Sequence, residues 1–134
     1  VICYFIDDIY NLVNALKRQS ELIFIREKDY IQNPKPNGYR SFHVIIAVPV
    51  YYLDTMEYFP VEIQLRTMTM DLWASMEHRV CYKKLPEHRD ELAEAFCQYA
   101  DILGKIEEQF EAYNETGMLE EITPAQITEN PTEG

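Results

Sequence analysis

In Tyr58-Phe59-Pro60-Val61-Glu62-Ile63-Gln64-Leu65-Arg66-Thr67 apolar and polar residues alternate one by one from Val61 to Arg66. In an extended chain Phe59, Val61, Ile63 and Leu65 point one way, while Glu62, Gln64 and Arg66 point the other. One face is core and the other is a polar shelf, so residues 58–66 read as a half-buried strand. Thr67 then opens a helix through about Tyr82, where Met68, Leu72, Trp73, Met76 and Val80 form a stripe of period 3.6 expected to lean on the sheet.

Working backward, residues 42–50 read as a neighbouring strand. Residues 33–38, Asn-Pro-Lys-Pro-Asn-Gly, are a loop, because two prolines forbid a ladder and Asn-Gly tolerates positive φ. Residues 22–26 are a short strand and residues 1–6 a buried one. Asp7-Asp8 offer N-cap chemistry to a helix over residues 9–17, with Ile9, Leu12, Val13 and Leu16 on one face. Forward of Lys83-Lys84-Leu85-Pro86, a last helix over about 88–113 carries Leu92, Phe96, Tyr99, Leu103, Ile106, Phe110 and Tyr113 at spacings of four and three. It reads as a helix covering the domain, with a partner seam as the second option. Residues 114–134 are acidic and poor in apolar groups, the composition of a frayed tail. The sum is an α+β domain, a sheet flanked by helices with a C-terminal helix.

At 134 residues and 47% hydrophobic content, one domain with a sizeable core is expected. Val1 lies inside an apolar run with neither Met nor basic residues ahead of it, so the start reads as truncated and not as a signal peptide. No apolar run reaches the roughly 18 residues of a membrane span. Cys3, Cys81 and Cys97 form no CxxC pair, which favours buried, reduced thiols and a cytoplasmic setting. His43, His78 and His88 lack metal-site spacing.

The net charge of −11 is unevenly spread. Residues 1–84 hold 10 Lys/Arg and 10 Asp/Glu, and residues 85–134 hold 2 and 13, so the acidity belongs to the C-terminal part. Residues 26–40 hold 4 basic residues against 2 acidic, a local positive patch. That suffices for one nucleotide and falls short of a DNA footprint.

Several side chains could carry chemistry. The Pro-Lys-Pro-Asn-Gly bend can present Lys35, Asn37 and Tyr39 at low entropic cost, with the Tyr39 ring available to a base; an ordinary turn with a surface Tyr is the plainer reading. Glu62, mid-strand, either pairs with Arg66 or Arg40 on a solvated face or binds Mg²⁺ and polarises a hydroxyl. Gln64 lies on its side and could reach a sugar or base edge. Arg26, Lys28 and Arg40 suit phosphate oxygens, and equally a solvated strand edge. His43 shares a strand face with Ile45 and Ala47, which suits a histidine satisfied in the core. His78 could reach the cleft or simply decorate a helix face.

Arg-Glu-Lys-Asp-Tyr-Ile at 26–31, Pro-Lys-Pro-Asn-Gly-Tyr-Arg-Ser-Phe-His at 34–43, Val-Glu-Ile-Gln-Leu-Arg-Thr at 61–67 and Trp-Ala-Ser-Met-Glu-His at 73–78 together resemble the RelA/SpoT synthetase domain over about residues 1–84. The chain looks most like a stand-alone small alarmone synthetase. That resemblance implies a nucleotidyltransferase-like fold with a mixed sheet, and a GTP pyrophosphokinase moving pyrophosphate from ATP to the 3′-hydroxyl of GDP or GTP in the stringent response. It implies Glu62 as catalytic residue and Mg²⁺ ligand, and Arg26, Lys28, Lys35, Asn37, Tyr39, Arg40, His43, Gln64 and His78 around the acceptor, with Tyr39 stacked on guanine. A homotetramer is implied too, with residues 1–84 as the acceptor part of the synthetase domain, 85–113 as a C-terminal helix and 114–134 as a tail.

The family's Asp-x-x-Gly-x-Arg run, which serves ATP and a second metal-binding acid, has no counterpart here, so residues 1–134 alone are expected to transfer nothing. The alternatives are a non-catalytic guanine-nucleotide or RNA-binding module, or a relative that modifies adenosine nucleotides or tRNA. Nothing in the residues supports RNA directly.

Overall fold

The computed structural model describes residues 1–82 and 86–116. In chain order it contains β1 (Ile2–Cys3), α1 (Ile6–Lys17), β2 (Ile23–Asp29), β3 (Phe42–Tyr52), β4 (Thr55–Thr67), α2 (Met68–Cys81) and α3 (Pro86–Thr116). The sheet runs β1-β4-β3-β2, with β1 parallel to β4 and the other pairs antiparallel, the mixed sheet expected from sequence.

α1 covers one face. Ile9 and Val13 pack with Phe42, Val44, Ile46 and Leu65, and Met70 closes that core from α2. A second cluster forms where Trp73 of α2 meets Phe96 and Ala100 of α3, with Tyr39 against it. The Trp73 indole donates to the Phe96 carbonyl at 2.7 Å, so α2 and α3 are joined by a buried hydrogen bond as well as by contact.

Several boundaries differ from expectation. The first strand is two residues long and the helix begins at Ile6 with Phe5 at its N-cap. Asp7 and Asp8 lie in its first turn, and the Asp8 carboxylate accepts from the Phe5 N–H at 3.0 Å. The acids therefore serve the helix N-terminus from inside it, where negative charge is favoured. β2 runs three residues past its expected end, charges included, because an edge strand tolerates Arg26, Glu27 and Lys28 in water; Lys17 pairs with Glu27 at 2.9 Å.

β3 and β4 form one long hairpin with Leu53 at φ 52° near its tip. Its outer half extends past α1, so Phe59 and Val61, expected in the core, are exposed while Ile63 and Leu65 are covered. On α2 only Met70 and Trp73 are buried; Met68, Leu72, Met76 and Val80 of the expected stripe stay exposed. The α3 series also splits. Phe96 is buried and Leu92 and Leu103 are half-buried, but Tyr99, Ile106, Phe110 and Tyr113 face out. Residues 114–116, assigned to the tail, continue α3; the rest of that tail and residues 83–85 lie outside the described residues. The three thiols are half-buried and unpaired with each other. No described helix is long and apolar enough to cross a membrane.

Candidate active site

The sheet face opposite α1 carries the polar shelf. Register sets Lys28 beside His43 and His43 beside Gln64 in one row, and Arg26, Ile45 and Glu62 in the next. Arg26 owes its place to a bulge. Phe24 pairs with Ile46 and Arg26 with Ile45, so Ile25 is the extra residue and the two even-numbered side chains leave on opposite faces. Phe24 packs on the core and Arg26 faces the shelf. Two strand spacings, roughly 10 Å, separate Arg26 from Glu62.

The bend before β3 is built from its own polar groups. Gly38 N–H donates to the Lys35 carbonyl at 2.9 Å, and Gly38 sits at φ 98°, a conformation glycine adopts without strain. The Asn37 carboxamide oxygen accepts from the Tyr39 N–H at 3.0 Å, an Asx turn, so Asn37 shapes the bend. The result aims Tyr39 inward among Tyr30, His43 and Trp73, all edge-on to its ring. Lys35 Nζ lies 5.0 Å from the Tyr39 centroid and 5.1 Å from that of Tyr30, and the Arg66 guanidinium lies 5.4 Å from the Tyr39 centroid. These cation–ring contacts hold the bend against β4.

The Tyr39 hydroxyl is a junction. Arg66 Nη2 donates to it at 2.8 Å, Ser41 Oγ at 3.0 Å, and His43 Nε2 lies at 3.1 Å. On its other side His43 faces Glu62, with Nδ1 at 3.6 Å from Oε1. Gln64 Nε2 donates to the same Oε1 at 3.4 Å, and Arg66 Nη2 donates back to Gln64 Oε1 at 3.3 Å. Arg66 is anchored at 3.5 Å by Asp71 in the first turn of α2. Burial, the largest influence, holds the His43 imidazole below the ordinary histidine range against the pull of Glu62. Next to the shelf, Tyr39, Arg66, Ala74, Ser75, Glu77 and His78 line an open cleft of about 540 Å³. His78 stacks on Tyr82 at 5.2 Å, nearly parallel.

Most of the expected residues thus converge: Glu62, Gln64, His43, Lys28 and Arg26 on one face, Tyr39, Lys35 and Asn37 at the bend beside it, and His78 across the cleft. Arg40 does not. Leaving the chain between Tyr39 and Ser41, it turns toward α3, pairs with Asp101 at 3.1 Å, passes close to Gly104 and keeps a buried Nε with no partner. Its work in this structure is to tie the bend to α3. Nor does Glu62 pair with Arg40 or Arg66, as a solvated-face reading requires. His43, whose strand neighbours equally suited a core histidine, stands on the shelf beside Gln64 and Glu62.

Reading from sequence passed over Arg66, Ser41 and Tyr30. The alternation that selects Glu62 and Gln64 also selects Arg66, and that signal could have found it; Ser41 and Tyr30 carry no such mark. As a metal ligand set the shelf offers one carboxylate, Glu62, with one oxygen engaged by His43 and Gln64. That donor set suits Mg²⁺, which takes one or two carboxylates and completes its shell with water and phosphate oxygens.

Residues 1–87 match the family model described as the region found in RelA/SpoT proteins. The chain is 47% identical over 109 residues to the GTP pyrophosphokinase YwaC of Bacillus subtilis, covering 81% of this chain and 52% of that protein. To the GTP pyrophosphokinase YjbM of the same bacterium it is 35% identical over 83 residues, 62% of this chain and 39% of that one. It therefore spans about half or less of the length of these curated relatives. Among solved structures, small alarmone synthetase 2 of B. subtilis superimposes with a TM-score of 0.78 at 44% identity, over 87% of this chain and 64% of that one. Small alarmone synthetase 1 of B. subtilis, bound to its product pppGpp, superimposes with a TM-score of 0.74 at 28% identity, over 86% and 58%.

Proposed function

The chain belongs to the RelA/SpoT family, and from that membership we propose that the protein carrying it is a GTP pyrophosphokinase, an alarmone synthetase moving pyrophosphate from ATP to the 3′-hydroxyl of GDP or GTP. The observation that supports this reading is the proximity of Tyr39, at the bend, to Glu62 on the adjoining sheet face. One histidine spans them, 3.1 Å from the hydroxyl and 3.6 Å from the carboxylate. A guanine stacked on Tyr39 would extend its ribose along the shelf toward Glu62.

Balanced, the reaction forms a bond from the acceptor 3′-oxygen to the β-phosphorus of ATP, breaks the bond from that phosphorus to the α,β-bridging oxygen, and releases AMP. The proton leaves the 3′-hydroxyl for the Glu62 carboxylate as general base. Lys28, Lys35, Arg26 and His78 are assigned to acceptor binding, the cations to its phosphates. Bound Mg²⁺, held beside Glu62 by water and phosphate oxygens so that the carboxylate stays free to take the proton, would polarise phosphoryl oxygens and offset developing charge. Residues 1–134 alone are expected to transfer nothing, and synthesis of (p)ppGpp by this chain would overturn that.

A cytoplasmic setting and assembly into a homotetramer complete the reading, supported by three cysteines that form no disulfide and by the apolar side of α3 that stays exposed among the described residues.

The test uses the full-length protein that carries this sequence. Tyr39→Ala is expected to raise the acceptor Kd by roughly 5- to 150-fold, the equivalent of about 1–3 kcal/mol of lost stacking. Glu62→Gln is expected to abolish turnover while guanine-nucleotide binding stays within about threefold of wild type. Undiminished turnover in Glu62→Gln removes that residue from its role.

A further inference from the structure

The polar contacts around Glu62 close on themselves. From Arg66 one branch runs through the Tyr39 hydroxyl and His43 to Glu62, and the other through Gln64 to Glu62, and both end on Oε1. We infer that Arg66, Tyr39, His43 and Gln64 form a ring of positioning residues that holds Oε1 of Glu62 and turns Oε2 toward the reacting hydroxyl. This rests on the reading of Glu62 as the general base.

Proton counting gives the ring a direction. A phenol has one proton and two lone pairs. Arg66 and Ser41 donate to the Tyr39 oxygen at 2.8 and 3.0 Å, filling both lone pairs, so its proton goes to His43 Nε2. Nε2 is then the acceptor of the imidazole and the ring proton sits on Nδ1, the nitrogen that faces Glu62. At 3.6 Å that approach is longer than a hydrogen bond, as catalytic contacts commonly are before substrate closes the site. The Gln64 amide is oriented by the same logic: its oxygen accepts from Arg66, which leaves its nitrogen to donate to Glu62.

Oε2 of Glu62 has no protein partner among the described residues, and the side chain is half-exposed on the shelf. A carboxylate with one oxygen engaged and the other open can present that second oxygen to the reacting hydroxyl, and reacting groups are sensitive to misplacement of about 1 Å. Because the Tyr39 ring is also the surface assigned to the acceptor base, the same residue that receives the nucleotide sets the imidazole that orients the base.

Tyr39→Phe separates the two roles, since it keeps the ring and removes the hydroxyl. In the full-length protein we expect its acceptor Kd to remain within about threefold of wild type while kcat falls on the order of tenfold, a split that a purely stacking tyrosine does not produce. A kcat equal to wild type overturns the inference. Independently of activity, ¹⁵N NMR of the His43 ring at mildly alkaline pH, without substrate, should show the Nδ1–H tautomer in wild type and a loss of that preference in Tyr39→Phe and Arg66→Met. An Nε2–H tautomer in wild type overturns the ring. Absence of transfer by the wild-type enzyme defeats the functional reading instead, and the tautomer measurement then still decides the ring.

Discussion

Gly38 shows how tightly single residues are specified around the bend. A Cβ added there would stand 3.0 Å from both the Ala100 Cβ and the Cys97 Cα, on a backbone already at φ 98°. Strain of about 1–3 kcal/mol for the dihedral adds to overpacking against α3, so Gly38→Ala is expected to cost about 2–4 kcal/mol. A shift in the urea midpoint at unchanged m-value checks this. Gly104 plays the complementary part on the helix: a Cβ there would meet Arg40 Nη1 at 2.8 Å, so the helix leaves room for the guanidinium that pairs with Asp101. Asn37 and Gly38 were legible as turn residues, because their chemistry is local. The destination of Arg40 was not, because it depends on Asp101, 61 residues along the chain.

Elements position these residues through a few joints. Tyr10 of α1 donates to Asp29 at the end of β2 at 2.6 Å, just before the chain leaves for the bend, and Asp29 Oδ1 caps the turn by accepting from the Ile31 and Gln32 N–H groups. Burial first, then that hydrogen bond, hold the Tyr10 phenol above the ordinary tyrosine range. A raised folded-state pKa means the native protein keeps its proton longer than the unfolded chain. The contribution is therefore fully present below the ordinary value of about 10 and is lost as pH rises beyond it. Tyr10→Phe is expected to cost about 1 kcal/mol near neutrality and to flatten the alkaline fall in stability, measurable as Tm against pH. The bulge at Ile25 is the other joint, since without it Phe24 and Arg26 would share a face.

At the scale of the whole molecule, α3 lies almost entirely beyond the family-matched residues 1–87, yet Phe96, Ala100 and Asp101 close one side of the bend that aims Tyr39. Its outward side keeps Tyr99, Ile102, Ile106, Phe110 and Tyr113 exposed, joined across a groove by Leu72 and Met76 of α2. Leaving that much aromatic and aliphatic surface in water is unfavourable, at roughly 25 cal/mol per Å². Sedimentation of the full-length protein at micromolar concentration is expected to show an oligomer; a monomer would remove the tetramer from the functional reading. What the sequence determined by itself was whatever depends on neighbours along the chain: the alternation that makes β4 two-faced, the stiff bend, the motifs that mark the family, and the side of the strand on which Glu62 stands. Only the tertiary structure decided which polar groups meet. Hydrogen bonds and ion pairs reach about 3 Å, and the register of three strands, one bulge and the seating of α3 bring Arg66 to Tyr39 and send Arg40 away.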